Sequence, residues 1–257
     1  MTDRQFVYLH GIPGSAAELA LVPGFPGPGV RLFAPDRMAD APQRDFATYC
    51  DDLAARVVTA FPAGPVRIAA FSLGARMAVE TGLRLGQRVE AIDLIAPAAP
   101  LTCGVDLRDM AGGAVFRLAR DAPRRFAALA SVQAVLARRA PMLLARMLFA
   151  GAQGEDAVLA RDAEFMHRIA AILRSGFGQG TAGYRREMRA YVEPWHDRIA
   201  SLTAPVTLWH GEADNWAPVA MATWLAGAFP RVQAMHRLPG KSHYSALIAA
   251  LPMLCTT

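Results

Sequence analysis

The sequence predicts an α/β fold, a mostly parallel sheet of about six strands with helices on both faces. Three observations predict it. Short apolar runs recur along the chain and stop at Gly, Pro, Asp or His, as buried strands do. Between them lie stretches whose apolar residues fall at helical spacing, and strands alternating with helices imply βαβ units and parallel pairing. A chain of 257 residues that is 53% hydrophobic suits one large α/β domain, or one domain with an insertion, and is too apolar to stay disordered.

Each element follows in order. Gln5–Leu9 (QFVYL) reads as a buried strand that runs into a Gly/Pro loop, His10-Gly11-Ile12-Pro13-Gly14-Ser15. Val30–Ala34 is a second strand, closed by Pro35-Asp36-Arg37. Asp45–Ala60 carries Phe46, Tyr49, Leu53, Val57 and Val58 at helical spacing. Val66–Phe71 is a third strand, Leu73–Leu85 an Ala-rich helix and Val89–Ile95 a fourth strand. Val206–Trp209 and Val232–Leu238 are the last two strands.

From about Pro97 to Pro194 this rhythm breaks. No stretch there reads as a strand, while Phe116–Ala119, Phe126–Ala137, Pro141–Phe149 and Ala157–Leu173 read as helices. That is far too long for an ordinary crossover. The expected organisation is therefore a core domain made of residues 1–97 and 195–257, with a helical lid of residues 98–194 inserted into it. Gly112-Gly113 and the glycine-rich stretch Gly176–Gly180 are the expected hinges.

Charge and cysteine content narrow the function. Net charge is +5; Lys241 is the one lysine, and the other basic residues are arginines. Between Leu101 and Glu193 fourteen arginines stand against nine Asp and Glu, and the rest of the chain balances. This reads as a solvated helical surface or as attraction for an anionic substrate or membrane surface. Aromatic residues do not interleave with the basic ones and no binding motif is present, which argues against nucleic acid. Cys50, Cys103 and Cys255 are too few and too scattered for a disulfide framework or a zinc site, so neither metal nor cofactor is expected, and a reduced, cytoplasmic setting is. The N-terminal segment has no apolar signal region and no apolar run approaches the ~20 residues of a membrane span.

Three residues carry the chemistry. Ser72 lies in Ala70-Phe71-Ser72-Leu73-Gly74, after a strand and before a helix. Small flanking residues permit a sharp strand-to-helix turn that lifts the hydroxyl above the carboxyl edge of the sheet. Asp214 follows strand VTLW in His210-Gly211-Glu212-Ala213-Asp214, and His243 follows the last strand in Leu238-Pro239-Gly240-Lys241-Ser242-His243. Each stands at the carboxyl end of an expected strand, in the order Ser, Asp, His. A serine needs a neighbouring base to act as a nucleophile; His243 would be that base and then the acid for the leaving group, with Asp214 orienting it. Two backbone N–H groups, of Ile12 and Leu73, would stabilise the oxyanion. Glu212 is the weaker acid, and His10 and His236 read as structural.

The pieces HGIPGS, APDR, AFSLG, HGEADNWAP and LPGKSHYSAL resemble the α/β-hydrolase fold superfamily over nearly the whole chain; the lid matches in position alone. The resemblance implies Ser72 as nucleophile, Asp214 as acid and His243 as base, with the Ile12 and Leu73 amides as oxyanion donors. Ala70 replaces the usual first glycine of the elbow, and the chain starts at what resembles the family's third strand, so the usual N-terminal antiparallel strands are expected to be missing. The implied activity is that of a serine hydrolase, a carboxylesterase acting on a small-molecule acyl substrate. Carbon–carbon bond hydrolysis, lyase chemistry, acyl transfer and perhydrolysis use the same triad, and a ligand-binding homologue without activity shares the fold. Phe116, Phe126, Met142, Met147, Phe149, Phe165 and Met166 of the lid are the expected walls of an apolar acyl pocket. Oligomeric state leaves no mark on the sequence.

Overall fold

The computed structural model describes residues 3–39 and 44–254; Cys255 lies outside them. Its six strands are β1 (Arg4–Leu9), β2 (Val30–Phe33), β3 (Val66–Phe71), β4 (Val89–Ile95), β5 (Val206–Gly211) and β6 (Val232–Leu238). They form one sheet in the order β2-β1-β3-β4-β5-β6, and every neighbouring pair is parallel. A parallel sheet is covered on both faces, so its central strands carry near-continuous apolar runs. β5 is buried along its whole length, whereas the edge strands β2 (VRLF) and β6 (VQAMHRL) carry charge and stay partly exposed.

Helices α1 (Phe46–Ala60), α2 (Gly74–Leu85), α9 (His196–Ala200) and α10 (Val219–Ala228) form a connected layer, in which α2 packs on β1, β3 and β4. α11 (His243–Met253) packs on β4 and β5. Asp45 starts α1 as its cap, its side chain accepting from the Thr48 amide at 3.1 Å. The chain leaves β1 for β2 on one side and returns across β1 to β3 on the other. The strand order therefore reverses between β1 and β3, and a crevice opens at their carboxyl ends, where open α/β sheets bind ligands.

Between β4 and β5 the described residues are helical: α3 (Gly113–Asp121), α4 (Pro123–Arg139), α5 (Pro141–Phe149), α6 (Gly154–Leu159), α7 (Ala163–Gly176) and α8 (Ala182–Val192) precede α9. Two expectations change. Ala157–Leu173 is not one helix: α6 ends at Leu159, and Asp162 starts α7 by accepting from the Phe165 amide at 2.9 Å. α8, absent from the sequence reading, buries Arg186 and Glu187 among Tyr184, Met188 and Tyr191, so its inner face is not apolar and the helical pattern is masked. Gly113 and Gly176 mark close packing, since a Cβ there would strike the carbonyls of Leu107 and Gly14 respectively. No helix of the described residues is long and apolar enough to cross a membrane.

Candidate active site

The site grows out of the ends of β1, β3 and β5 and the start of α11. At the end of β3 the chain must leave the sheet and begin α2 at once. Ser72 takes φ +56° to make that turn, a left-handed conformation that costs a residue with a Cβ roughly 1–2 kcal/mol. The turn is held by neighbouring backbone: the Ser72 N–H donates to the Ile95 carbonyl at 3.0 Å and the Ala98 N–H to the Ser72 carbonyl at 3.2 Å. Gly74 is required by close approach, because a Cβ there would collide with the Leu9 and His10 carbonyls. Ala70, in the position of the usual glycine, is fully buried within β3.

His243 is the first residue of α11. At that helix start the Ser242 amide donates to Ser245 Oγ at 2.7 Å. The His243 Nδ1 lies 2.7 Å from Asp214 Oδ2 and its Nε2 lies 2.9 Å from Ser72 Oγ. A carboxylate can only accept, so Nδ1 carries the proton and Nε2 is the acceptor for the serine hydroxyl. Asp214 is oriented in turn: its Oδ1 accepts from the Trp216 and Ala217 amides at 2.8 and 3.0 Å. The Trp216 ring stacks on the imidazole at 5.7 Å, and Phe71 contacts it at 4.7 Å. Ser72, Asp214 and His243 are all buried.

Ile12 and Leu73 line the same cavity as Ser72. Neither of their amides donates to an acceptor among the described residues. The loop that carries Ile12 is braced from below. Glu18, buried in a short 3₁₀ turn, accepts from the Gly11 amide at 2.7 Å and the Tyr8 hydroxyl at 2.9 Å through one oxygen. Burial pushes the Glu18 carboxyl up to about 7, against the pull of Tyr8, Gly11, Arg37 and His243. On the other side His10 Nδ1 donates to the Gly11 carbonyl at 2.8 Å, while its Nε2 accepts from the Arg37 amide at 3.1 Å. Burial, with Arg37 beside it, lowers the His10 pKa well below the ordinary imidazole range, so this ring is neutral and structural.

The cavity above Ser72 measures ≈ 60 Å³ and is walled by Ile12 and Pro13 below, by Val115, Phe116, Gln133, Leu148, Tyr184 and Met188 from α3, α4, α5 and α8, and by Trp216 and Ala217. Of the seven expected pocket residues, Phe116 alone is in this wall. Phe126 packs behind it against Tyr184, Phe149 and Phe165 pack against Tyr244, and Met166 is core. Met142 is half-buried away from the cavity, and Met147 is 58% exposed. Met and Phe at helical spacing face whatever the helix packs on, which here is mostly other helices.

Sequence reasoning missed four residues around the site. Glu18 and Gln133 are two. His210 is the third: its Nε2 donates to the Ala217 carbonyl at 2.7 Å and lies 3.5 Å from Asp214 Oδ2, and burial lowers its pKa. Asp156 of α6 is the fourth. Its two oxygens accept from the Tyr244 and Ser245 amides at 2.8 and 2.7 Å, at the start of the helix that bears His243. A charge inside an apolar run, Glu18 in AAELALV, was the one legible signal among them. His236 stacks on Trp209 and Glu212 pairs with Arg237 at the surface, and neither touches Ser72, Asp214 or His243.

The family model for "Serine aminopeptidase, S33", a group of α/β-hydrolases, matches residues 38–245. The chain is an α/β-hydrolase of this family. No curated protein matches it in sequence. Among solved structures, the hydrolase superposes on a thermophilic esterase from Thermogutta terrifontis with TM-score 0.71 at 16% identity, covering 99% of this chain and 89% of that one. A putative non-heme bromoperoxidase from Mycobacterium tuberculosis gives 0.67 at 18%, covering 99% and 91%. MenH from S. aureus gives 0.67 at 13%, covering 100% and 96%. At these identities the likeness establishes the shared fold.

Proposed function

We propose that this hydrolase is a serine carboxylesterase that cleaves a small acyl ester through an acyl-enzyme on Ser72. The observation that carries the reading is the Ser72–His243–Asp214 relay, with hydrogen-bond spacings of 2.9 and 2.7 Å. His243 Nε2 takes the Ser72 proton as Oγ attacks the ester carbonyl, and the same proton then leaves with the alcohol. Asp214 stabilises the imidazolium. The Ile12 and Leu73 amides, free of protein acceptors among the described residues, receive the oxyanion. Water then repeats the sequence on the acyl-enzyme. The helical segment 98–194 acts as the lid, since four of its helices contribute walls to the cavity over Ser72. The free thiols Cys50 and Cys103 suit a reducing, cytoplasmic setting.

Hydrolysis of p-nitrophenyl esters from acetate to decanoate tests the reading. Wild type is expected to turn over the short members. Ser72→Ala should lower kcat by roughly 10³-fold or more and abolish labelling by a fluorophosphonate. Ester hydrolysis that survives in Ser72→Ala would sink the proposal.

A further inference from the structure

The cavity over Ser72 is apolar except at one corner. Val115, Phe116, Leu148, Met188 and Trp216 offer carbon, while Gln133 from α4 and Tyr184 from α8 bring polar heads. Gln133 Oε1 is closed off from solvent and has no hydrogen-bond partner among the described residues. The Gln133 amide and the Tyr184 hydroxyl line the same cavity. An amide oxygen in an apolar wall without a protein donor lacks the hydrogen bond that offsets burial of a polar group. A Met or Leu of similar volume would line the wall without that cost. Such an oxygen in a cavity wall is a place for a donor that arrives with a ligand.

The size of the cavity limits the ligand. At roughly 10–15 Å³ per water-sized group, ≈ 60 Å³ holds about four to six heavy atoms. An acyl group of about four carbons with one substituent fills it. A hydroxyl is the substituent that suits the corner, because it donates to the Gln133 oxygen and is still able to accept from Tyr184. An amine or ammonium would place a charge among apolar walls with no carboxylate to meet it there.

We propose that Gln133, with Tyr184, selects short acyl esters that carry a hydroxyl on the acyl chain. The proposal rests on the reading of Ser72 as the nucleophile. Sites built to bond a substrate hydroxyl reject the analogue that lacks it far more strongly than apolar pockets discriminate by size.

The test compares p-nitrophenyl 3-hydroxybutanoate with p-nitrophenyl butanoate, which differ by that hydroxyl. Wild type is expected to favour the hydroxy ester by about tenfold or more in kcat/KM. In Gln133→Met, and in Gln133→Leu as a second variant, this ratio should fall toward one. Equal rates for the two esters in wild type, or a ratio that the variants leave unchanged, would overturn the proposal. A parallel titration keeps it separate from the hydrolase reading. NMR follows 3-hydroxybutanoate and butanoate binding to Ser72→Ala, which needs no turnover. Preference for the hydroxy acid, lost in Ser72→Ala/Gln133→Met, supports the selector even if neither ester is cleaved and the esterase reading fails. Equal binding of both acids, with both esters cleaved alike, removes the selector and leaves the esterase reading in place.

Discussion

Glu18 carries an electrostatic cost next to the site. Its carboxyl sits at about 7 because burial disfavours the anion. The sign of its effect on stability follows. The unfolded carboxyl titrates near its ordinary value of 4.5, so between about pH 4.5 and 7 the folded chain binds more protons than the unfolded one, and stability falls as pH rises through that window. The total is on the order of 3 kcal/mol, fully expressed above pH 7. Glu18→Gln retains an acceptor for the Gly11 and Tyr8 donors but has no charge. Denaturant unfolding at pH 5 and pH 8 should show Glu18→Gln gaining about 2–3 kcal/mol on wild type between the two. A difference independent of pH would mean that the carboxyl is not titrating there. At this scale the meeting of Ser72, Asp214 and His243 was legible because each follows a strand within a loop of small or turn-forming residues. Asp156, His210 and Gln133 were not, and Glu18 only as a misplaced charge, because each acts on a partner brought to it by the fold. Asp156 and Tyr244 stand 88 residues apart, and no local pattern links them.

At the scale of elements, α6 fastens the start of α11. Asp156 accepts from the first amides of that helix, the Glu155 amide donates to the Gly240 carbonyl at 2.9 Å, and Lys241 pairs with Glu155. Those free amides attract a carboxylate both as donors and through the helix dipole. His243 occupies the same turn, so α6 positions the imidazole from outside the sheet. Asp156→Ala should cost about 1–2 kcal/mol and lower kcat more than it changes KM, because the imidazole loses its fixed height over Ser72. Asp156→Asn, which keeps an acceptor, should recover most of kcat. A KM effect with kcat unchanged would place Asp156 in substrate binding instead. Strands were the readable elements, since a parallel sheet makes their apolar runs continuous. α8 was unreadable because its inner face buries an ion pair and a cation over Tyr49, where Arg186 stands 3.5 Å from the ring centroid.

That ion pair decides how the whole molecule holds together. Arg37, just after β2, meets Glu187 of α8 with N–O distances of 3.0 to 3.2 Å, and both side chains are buried. Arg37 also donates to the His10 carbonyl at 2.8 Å. One guanidinium thus joins the sheet, the loop that follows β1 and the helical segment. Tyr191 adds a bond from α8 to the Ala99 carbonyl at 2.9 Å, and Gly176 packs directly on Gly14. Swinging the segment away as a rigid lid would strand two buried charges, so substrate entry by smaller displacements of α3 and α4 fits the packing better. Glu187→Leu leaves the guanidinium buried without its counter-charge and should cost about 3–5 kcal/mol. Arg37→Met/Glu187→Leu removes both charges and should recover most of that loss, because well-packed apolar groups replace buried ion pairs at little net cost. Denaturant unfolding of the two single variants and the double variant measures the coupling. Strictly additive losses would mean that sheet and helical segment do not depend on this pair. A large coupling with one cooperative transition would make them a single folding unit, with Arg37–Glu187 at its joint.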